Sequence, residues 1–275
     1  MKSRTYIGVG LIGLGLAATA PARADTLRDV IESGTLTVGV KADYRPYGYL
    51  DTDGNVVGIE PDLAQDAADV LGVDLELIEV VASNRMQFLE QGRIDVMIAT
   101  MTDTMERRGV VEILNPDYYS SGTNILARKS SEFSDWSDLD GAPVCGVQGA
   151  FYNRKTEEEF GADIVGFTGT SEALNALQQG RCAAFVYDDS FLNSRLQEDG
   201  WADYEMPLET IDDAPWGMAV KTGEDAMAAF MSGMIVHWHT TGRIVELEEE
   251  YGIQPVPFTR RMHERYRGYI PDSGS

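Results

Sequence analysis

Continuous apolar runs alternate along the chain with apolar positions at helical spacing. Leu36 to Lys41 (LTVGVK) has the composition of a buried strand. From Pro61 to Leu71, the residues Leu63, Ala64, Ala67, Ala68 and Leu71 recur at three- and four-residue intervals, which predicts a helix. Proline stands at its start, with Glu60 and Asp62 beside its positive end. Asp74 to Val80 reads as a second strand, Arg85 to Gln91 as a short helix stopped by Gly92, and Asp95 to Ala99 as a third strand. This β-α-β-α-β order is the unit of a parallel sheet. The order then repeats: strand Ala142 to Val147, helix Asn153 to Phe160, strand Asp163 to Phe167, helix Ser171 to Gln179 ended by Gly180, strand Cys182 to Tyr187. Two extended pieces, Asn124 to Lys129 and Trp216 to Lys221, are expected to cross between the two units, the second leading into a long helix over Glu224 to Thr240. The end, Pro255 to Ser275, rich in Arg, Tyr and Pro, is expected to pack loosely or fray.

A different pattern precedes these units. Lys2 and Arg4 lead an apolar run from Tyr6 to Ala20, and Ala22-Arg23-Ala24 sets small residues at both positions a signal peptidase reads. The pattern predicts export with cleavage before Asp25; the run is too short for a permanent span, and no later stretch approaches the length of one. The whole chain of 275 residues carries a formal charge of −23, and losing Lys2, Arg4 and Arg23 would leave 19 basic against 45 acidic side chains. Such a balance argues against nucleic-acid or anionic-membrane partners, which need cationic surface.

Two α/β lobes joined by two extended crossings enclose a cleft, and ligands in such sheets bind beyond the carboxyl ends of the strands. The segments placed there are Lys41 to Tyr47 (KADYRPY), Thr100 to Arg107 (TMTDTMER), Gln148 to Phe151 (QGAF) and Asp188-Asp189. Together they offer a guanidinium fork for a carboxylate, hydroxyls, a glycine-opened turn, a carboxylate for an ammonium, and aromatic rings. That set suits a zwitterion, a free amino acid.

Several ordered pieces also resemble one family. GTLTVGVKADYRPYGYLDTDGNVVGIEPDLAQDAADVLG, GRIDVMIATMTDTMERR, PDYYSSGTNILARK, DLDGAPVCGVQGAFYN, LQQGRCAAFVYDD and GRIVELEEEYG are similar to the polar amino-acid branch of the periplasmic solute-binding proteins that serve ABC importers. The resemblance implies a two-lobe periplasmic-binding-protein-like fold of class α/β. Each lobe would be a mostly parallel sheet flanked by helices, with a two-strand hinge and the ligand cleft between lobes. It divides the chain into a signal peptide (1–24), lobe one (25–125 plus 217–275) and lobe two (126–216), with hinge crossings near 124–129 and 214–221. It also implies a periplasmic monomer that binds a free amino acid, delivers it to permease subunits in the inner membrane, and uses no cofactor or metal.

By position, the resemblance implies that Arg107 grips the α-carboxylate, Thr100 and Thr102 add hydroxyl and backbone contacts, and Asp188 receives the α-ammonium. Tyr44 would cover the ligand, and the Gly149–Phe151 turn would add backbone amides. Lys41 and Arg85 fall where family members contact the ligand's side chain, which favours glutamate or aspartate. A structural alternative has Lys41 paired with Asp43 or Glu60, and Arg85 with an acid of the cleft. Asp188 could equally cap the helix after it, and Phe151 and Trp216 could serve packing alone. The chain departs from the family at Gly149-Ala150, where a hydroxyl is usual, and at Gly180-Arg181-Cys182-Ala183.

Cys145 and Cys182 sit in strands expected to be neighbours, and an oxidising compartment would favour their disulfide over two buried thiols. His237 and His239 are spaced to face different sides of a helix, and His263 stands apart, so no metal pair is expected. The rival functions are a cyclohexadienyl (prephenate or arogenate) dehydratase on the same fold, with Asp43 or Asp189 as proton donor, and a sensor-type binding protein.

Overall fold

The computed structural model describes residues 25–254 and 256–268; the leader expected over residues 1–24 lies outside them. The first sheet has the order Asp74–Glu79, Thr35–Val40, Val96–Met97, Ala219–Val220, Glu112–Ile113. The first three strands are parallel, Thr35–Val40 pairing on both sides, and Ala219–Val220 runs antiparallel between its neighbours. Leu36, Val38 and Val40 are fully buried on the central strand. The predicted helix forms over Ile59–Leu71 and buries Leu63, Ala64, Ala67 and Ala68, the face its spacing specified. Each large apolar side chain so removed from water contributes about 1.5–3 kcal/mol before the chain's ordering entropy is set against it.

The second sheet has the order Asp163–Phe167, Pro143–Val147, Ala184–Asp188, Tyr119–Arg128, Tyr204–Glu205, and Ile211–Trp216 also pairs with Tyr119–Arg128. Its first three strands are parallel, as the repeated pattern predicts. Tyr119–Arg128 is antiparallel to all three of its partners and buried along all but its last residue. The Asn124 to Lys129 piece therefore lies in, or just after, a strand of the second sheet. The chain passes from the first sheet to the second in residues 114–118 and returns in 217–218. A strand buried on both faces has no alternating pattern to mark where it begins, which is why Tyr119 to Thr123 went unread as strand.

Cys145, in the strand Pro143–Val147, and Cys182, two residues before the neighbouring strand Ala184–Asp188, form a disulfide with Cα atoms 5.5 Å apart. Part of the tail departs from the loose packing expected of it, and residues 255 and 269–275 lie outside those described: Pro257–Tyr266 is a helix packed on Asp225–Thr241 and Arg243–Glu250. Its anchors are polar. Buried Glu248 accepts from the Thr259 hydroxyl at 2.7 Å and from Val256 N at 3.1 Å. His263 Nδ1 donates to the His239 carbonyl at 2.9 Å. Hydrophobic spacing cannot register a helix held this way. Glu248 also accepts from the Tyr119 hydroxyl at 2.7 Å, and Tyr47 donates to Tyr119 at 2.8 Å. A run of hydroxyls thus joins the loop after the first strand to the tail through the first residue of the strand Tyr119–Arg128. No described helix is long and apolar enough to cross a membrane, and no group of three metal-ligating side chains occurs among the described residues.

Candidate functional site

The strand Val96–Met97 delivers the chain to Thr100, whose φ of 46° is unusual for a β-branched residue. Beyond it, Thr104 caps the short helix Met105–Arg108, its hydroxyl accepting from Arg107 N at 3.2 Å. The cap orients Arg107 into the seam between the lobes. Its Nη1 donates to the Thr102 carbonyl at 2.7 Å, and its Nη2 donates to the Gly149 carbonyl of the second lobe at 3.1 Å. Burial, with some help from nearby Arg85, lowers its pKa to about 10, so it stays charged at neutral pH. A cavity of about 350 Å³ opens beside it, lined among others by Ala82, Ser83, Gly149 and Phe151. Gly149 has φ 80°, and a Cβ there would lie 2.9 Å from the Ala82 carbonyl group across the seam. Only glycine lets the two backbones come this close.

Asp188 ends the strand Ala184–Asp188 just before the helix Asp189–Leu196. It occupies the capping position, yet its side chain caps nothing; the carboxylate instead accepts from the Tyr44 hydroxyl of the first lobe. Its Oδ1 is buried without a protein partner. Burial pushes this carboxyl up to about 7, against the pull of the Tyr152 and Tyr44 hydroxyls. Tyr44 is fully buried, its ring 4.7 Å from Phe191 and 5.2 Å from Tyr187. Trp216 packs among Tyr44, Tyr47 and Tyr119, as the packing reading of that residue expects.

The remaining two cations have partners within the first lobe. Lys41 Nζ lies 2.8 Å from Asp43 Oδ1, a contact of charges without aligned hydrogen-bond geometry. Burial alone would raise Asp43, but Lys41 and Thr170 together hold it below the usual aspartate value. Thr170 belongs to the second lobe and donates to Asp43 from its backbone N at 2.7 Å and its hydroxyl at 3.0 Å. Arg85 Nη1 donates to the Ala99 carbonyl. Near it, fully buried Glu60 accepts from Thr100 N at 2.7 Å and from the Tyr118 hydroxyl.

The structure therefore brings Arg107, Thr102 and Gly149 together at one end of the seam, and Tyr44 with Asp188 deeper in it. It pairs Lys41 with Asp43, the structural alternative weighed for that residue. Thr100 takes part through its backbone, and Phe151 lines the cavity. Sequence reasoning missed Tyr118, Tyr152 and Thr170, and offered Glu60 only as an alternative partner of Lys41. Its place beside a helix start is explained equally well as a response to the helix dipole.

With this geometry in view, the comparisons with known proteins are consistent. Residues 36–254 match the model of the bacterial extracellular solute-binding proteins, family 3, and the chain belongs to that family. The ABC transporter glutamine-binding protein of Bacillus subtilis is 29% identical over 240 residues, covering 85% of this chain and 87% of its own. The L-glutamate/L-aspartate-binding protein of Pseudomonas aeruginosa is 25% identical over 260 residues, with coverage of 87% and 85%. A solved ancestral arginine-binding protein bound to glutamine is 28% identical, with a TM-score of 0.75 over 80% of this chain and 98% of that one. The two-lobe binding-protein fold and the family are thus established from sequence and structure together.

Proposed function

We propose that the protein captures a free polar L-amino acid in the cleft and delivers it to an ABC importer. Arg107 would bind the α-carboxylate and Asp188 the α-ammonium, with Thr100 and Thr102 lining the ligand and Tyr44 covering it. The observation that carries this reading is the position of Arg107 and Asp188, one on each lobe and both buried in the seam. A zwitterion satisfies both at once, and differential binding to the closed form would then drive closure. The lobes would be 25–118 with 217–268, and 119–216, hinged in residues 114–118 and 217–218.

The expectation of an acidic ligand rested on Lys41 and Arg85. With Lys41 beside Asp43, that argument weakens and the ligand's side chain stays open between acidic and neutral polar. Two carboxyls raised to about 7, Glu60 and Asp188, support the dehydratase as a second reading, because a proton donor is what that chemistry needs. Asp43, earlier nominated as donor, is held in its charged form and does not suit that role.

A thermal-shift panel of amino acids, dicarboxylates and prephenate, on protein unfolded and refolded to strip bound ligand, tests the reading. A ligand at a thousand times its dissociation constant adds about 4 kcal/mol, or roughly 8–16 °C for a chain this size. Shifts with one or a few L-amino acids support amino-acid capture. No shift with any of them, together with turnover of prephenate, would replace it with the enzyme.

A further inference from the structure

Glu60 and Arg85 hold the two poles of one peptide group. The Ala99 carbonyl receives Arg85 Nη1, and the N–H of Thr100, on the other side of the same peptide bond, donates to Glu60 Oε1 at 2.7 Å. That peptide opens the Thr100–Arg107 segment and precedes a residue in the left-handed region, a conformation that persists only when its surroundings fix it. Both side chains are buried, Glu60 completely and Arg85 to 3% exposure. Each also keeps one buried polar atom without a protein partner, Glu60 Oε2 and Arg85 Nε.

We propose that Glu60 is a positioning residue that also sets the charge the cleft accepts. With Arg85 it clamps the Ala99–Thr100 peptide, and its carboxylate compensates the Arg85 guanidinium. This rests on the amino-acid reading above. With Lys41 beside Asp43 and Arg85 offset by Glu60, the charges left over are Arg107 and Asp188, which match a zwitterion whose side chain is uncharged. A ligand with a distal carboxylate would set an uncompensated negative charge in a seam where Glu60 and Asp43 already offset the two extra cations. An uncharged amide of the same shape brings no such charge.

The field around Glu60 is consistent with this role. Burial pushes its carboxyl up to about 7, while the Tyr118 hydroxyl, Thr100 N, Arg85 and Lys41 pull it down toward the charged form. These groups face it from the stretch before the strand Tyr119–Arg128, from the Thr100 segment, from the Arg85–Glu90 helix and from the end of the first strand.

The test compares glutamine with glutamate, an isosteric amide and carboxylate, by calorimetry on the stripped protein. The parent should bind glutamine at least roughly tenfold tighter than glutamate. In Glu60→Gln the amide oxygen can still accept from Thr100 N and Tyr118, so the clamp stays while the charge goes. The preference should then move toward glutamate by roughly tenfold or more. Glu60→Ala, which removes the clamp as well, should weaken both ligands. A parent that prefers glutamate, or a glutamine-to-glutamate ratio unchanged in Glu60→Gln, overturns the assignment.

Should that variant not fold, the parent's own ratio between pH 8 and pH 5 decides. Protonating Glu60 uncovers Arg85, so the ratio should move toward glutamate as pH falls, and a flat ratio overturns the proposal. Asp188 titrates in the same range but would grip the ammonium of both ligands, and so drops out of the ratio. A parent that binds no α-amino acid at all would instead overturn the amino-acid reading itself, a distinct result.

Discussion

The charged groups of the cleft follow two electrostatic plans. In one, Arg107 and Asp188 come from different lobes, and among the described residues neither has a countercharge at contact distance. In the other, Lys41 meets Asp43, and Arg85 shares a peptide with Glu60, all four from the first lobe. Charges divided between lobes are free to be bridged by a ligand. Charges matched within one lobe are largely settled before any ligand arrives. A cation in a binding cleft is therefore weak evidence for an anionic ligand until its own neighbours are known.

Substituting Arg107 tests the first plan most sharply. Arg107→Ala should reduce affinity for every amino acid by more than a hundredfold, about 3–5 kcal/mol, because it would leave a ligand carboxylate buried without a countercharge. Titration calorimetry reads this directly, and parent-like affinity would remove Arg107 from the site.

Removing the disulfide should affect stability and spare selectivity. The bond between Cys145 and Cys182 spans 37 residues within the second lobe. On the chain-entropy model the double Cys→Ser variant should lose about 3–4 kcal/mol, seen as a lower Tm, with the order of ligand preference unchanged. A changed order would mean that the second lobe's fold sets specificity.

Varying pH separates stability from binding. Burial raises the carboxyls of Glu60, Asp117, Asp188 and Glu248 to about 7, above their ordinary values near 4. A raised carboxyl stabilises the fold fully below its unfolded pKa, and that contribution is lost as pH rises through the folded value. Asp43, held low, opposes this only below its ordinary 3.8. The Tm of the ligand-free protein should therefore fall between pH 5 and pH 8. Amino-acid affinity should rise over the same interval, because Asp188 must lose its proton to take an ammonium. Parallel rather than opposed trends would remove Asp188 from the ammonium site.

The smallest effect belongs to the rim. Arg154 and Glu106 pair across the lobes at 3.2 Å, but both are well exposed. Arg154→Ala should change stability and affinity by less than about 1 kcal/mol. A larger loss of affinity would show that rim contacts, and not the buried seam, hold the lobes together.

The architecture was legible because central parallel strands such as Thr35–Val40 and Ala184–Asp188 are mostly apolar runs, and helices such as Ile59–Leu71 and Thr170–Gln178 carry their apolar faces at regular spacing. What was hidden is mostly polar and long-range. Glu60 meets Thr100 across 40 positions, and Asp43 meets Thr170 across 127; no local pattern announces either. The tail helix escaped for the same reason, its fixing points being Glu248 and His239. Motif position drew attention to Lys41 and Arg85, but their neighbours, which decide what they can bind, lay outside the motif.

The run of hydroxyls from Tyr47 through Tyr119 to Glu248 and Thr259 has a mechanical consequence. It ties the start of the strand Tyr119–Arg128, next to the crossing at residues 114–118, to the helix Pro257–Tyr266, so flexure at that crossing works against a brace whose far end is anchored more than a hundred residues away. The bending stiffness of the joint would therefore be set partly by a segment far removed from it along the chain.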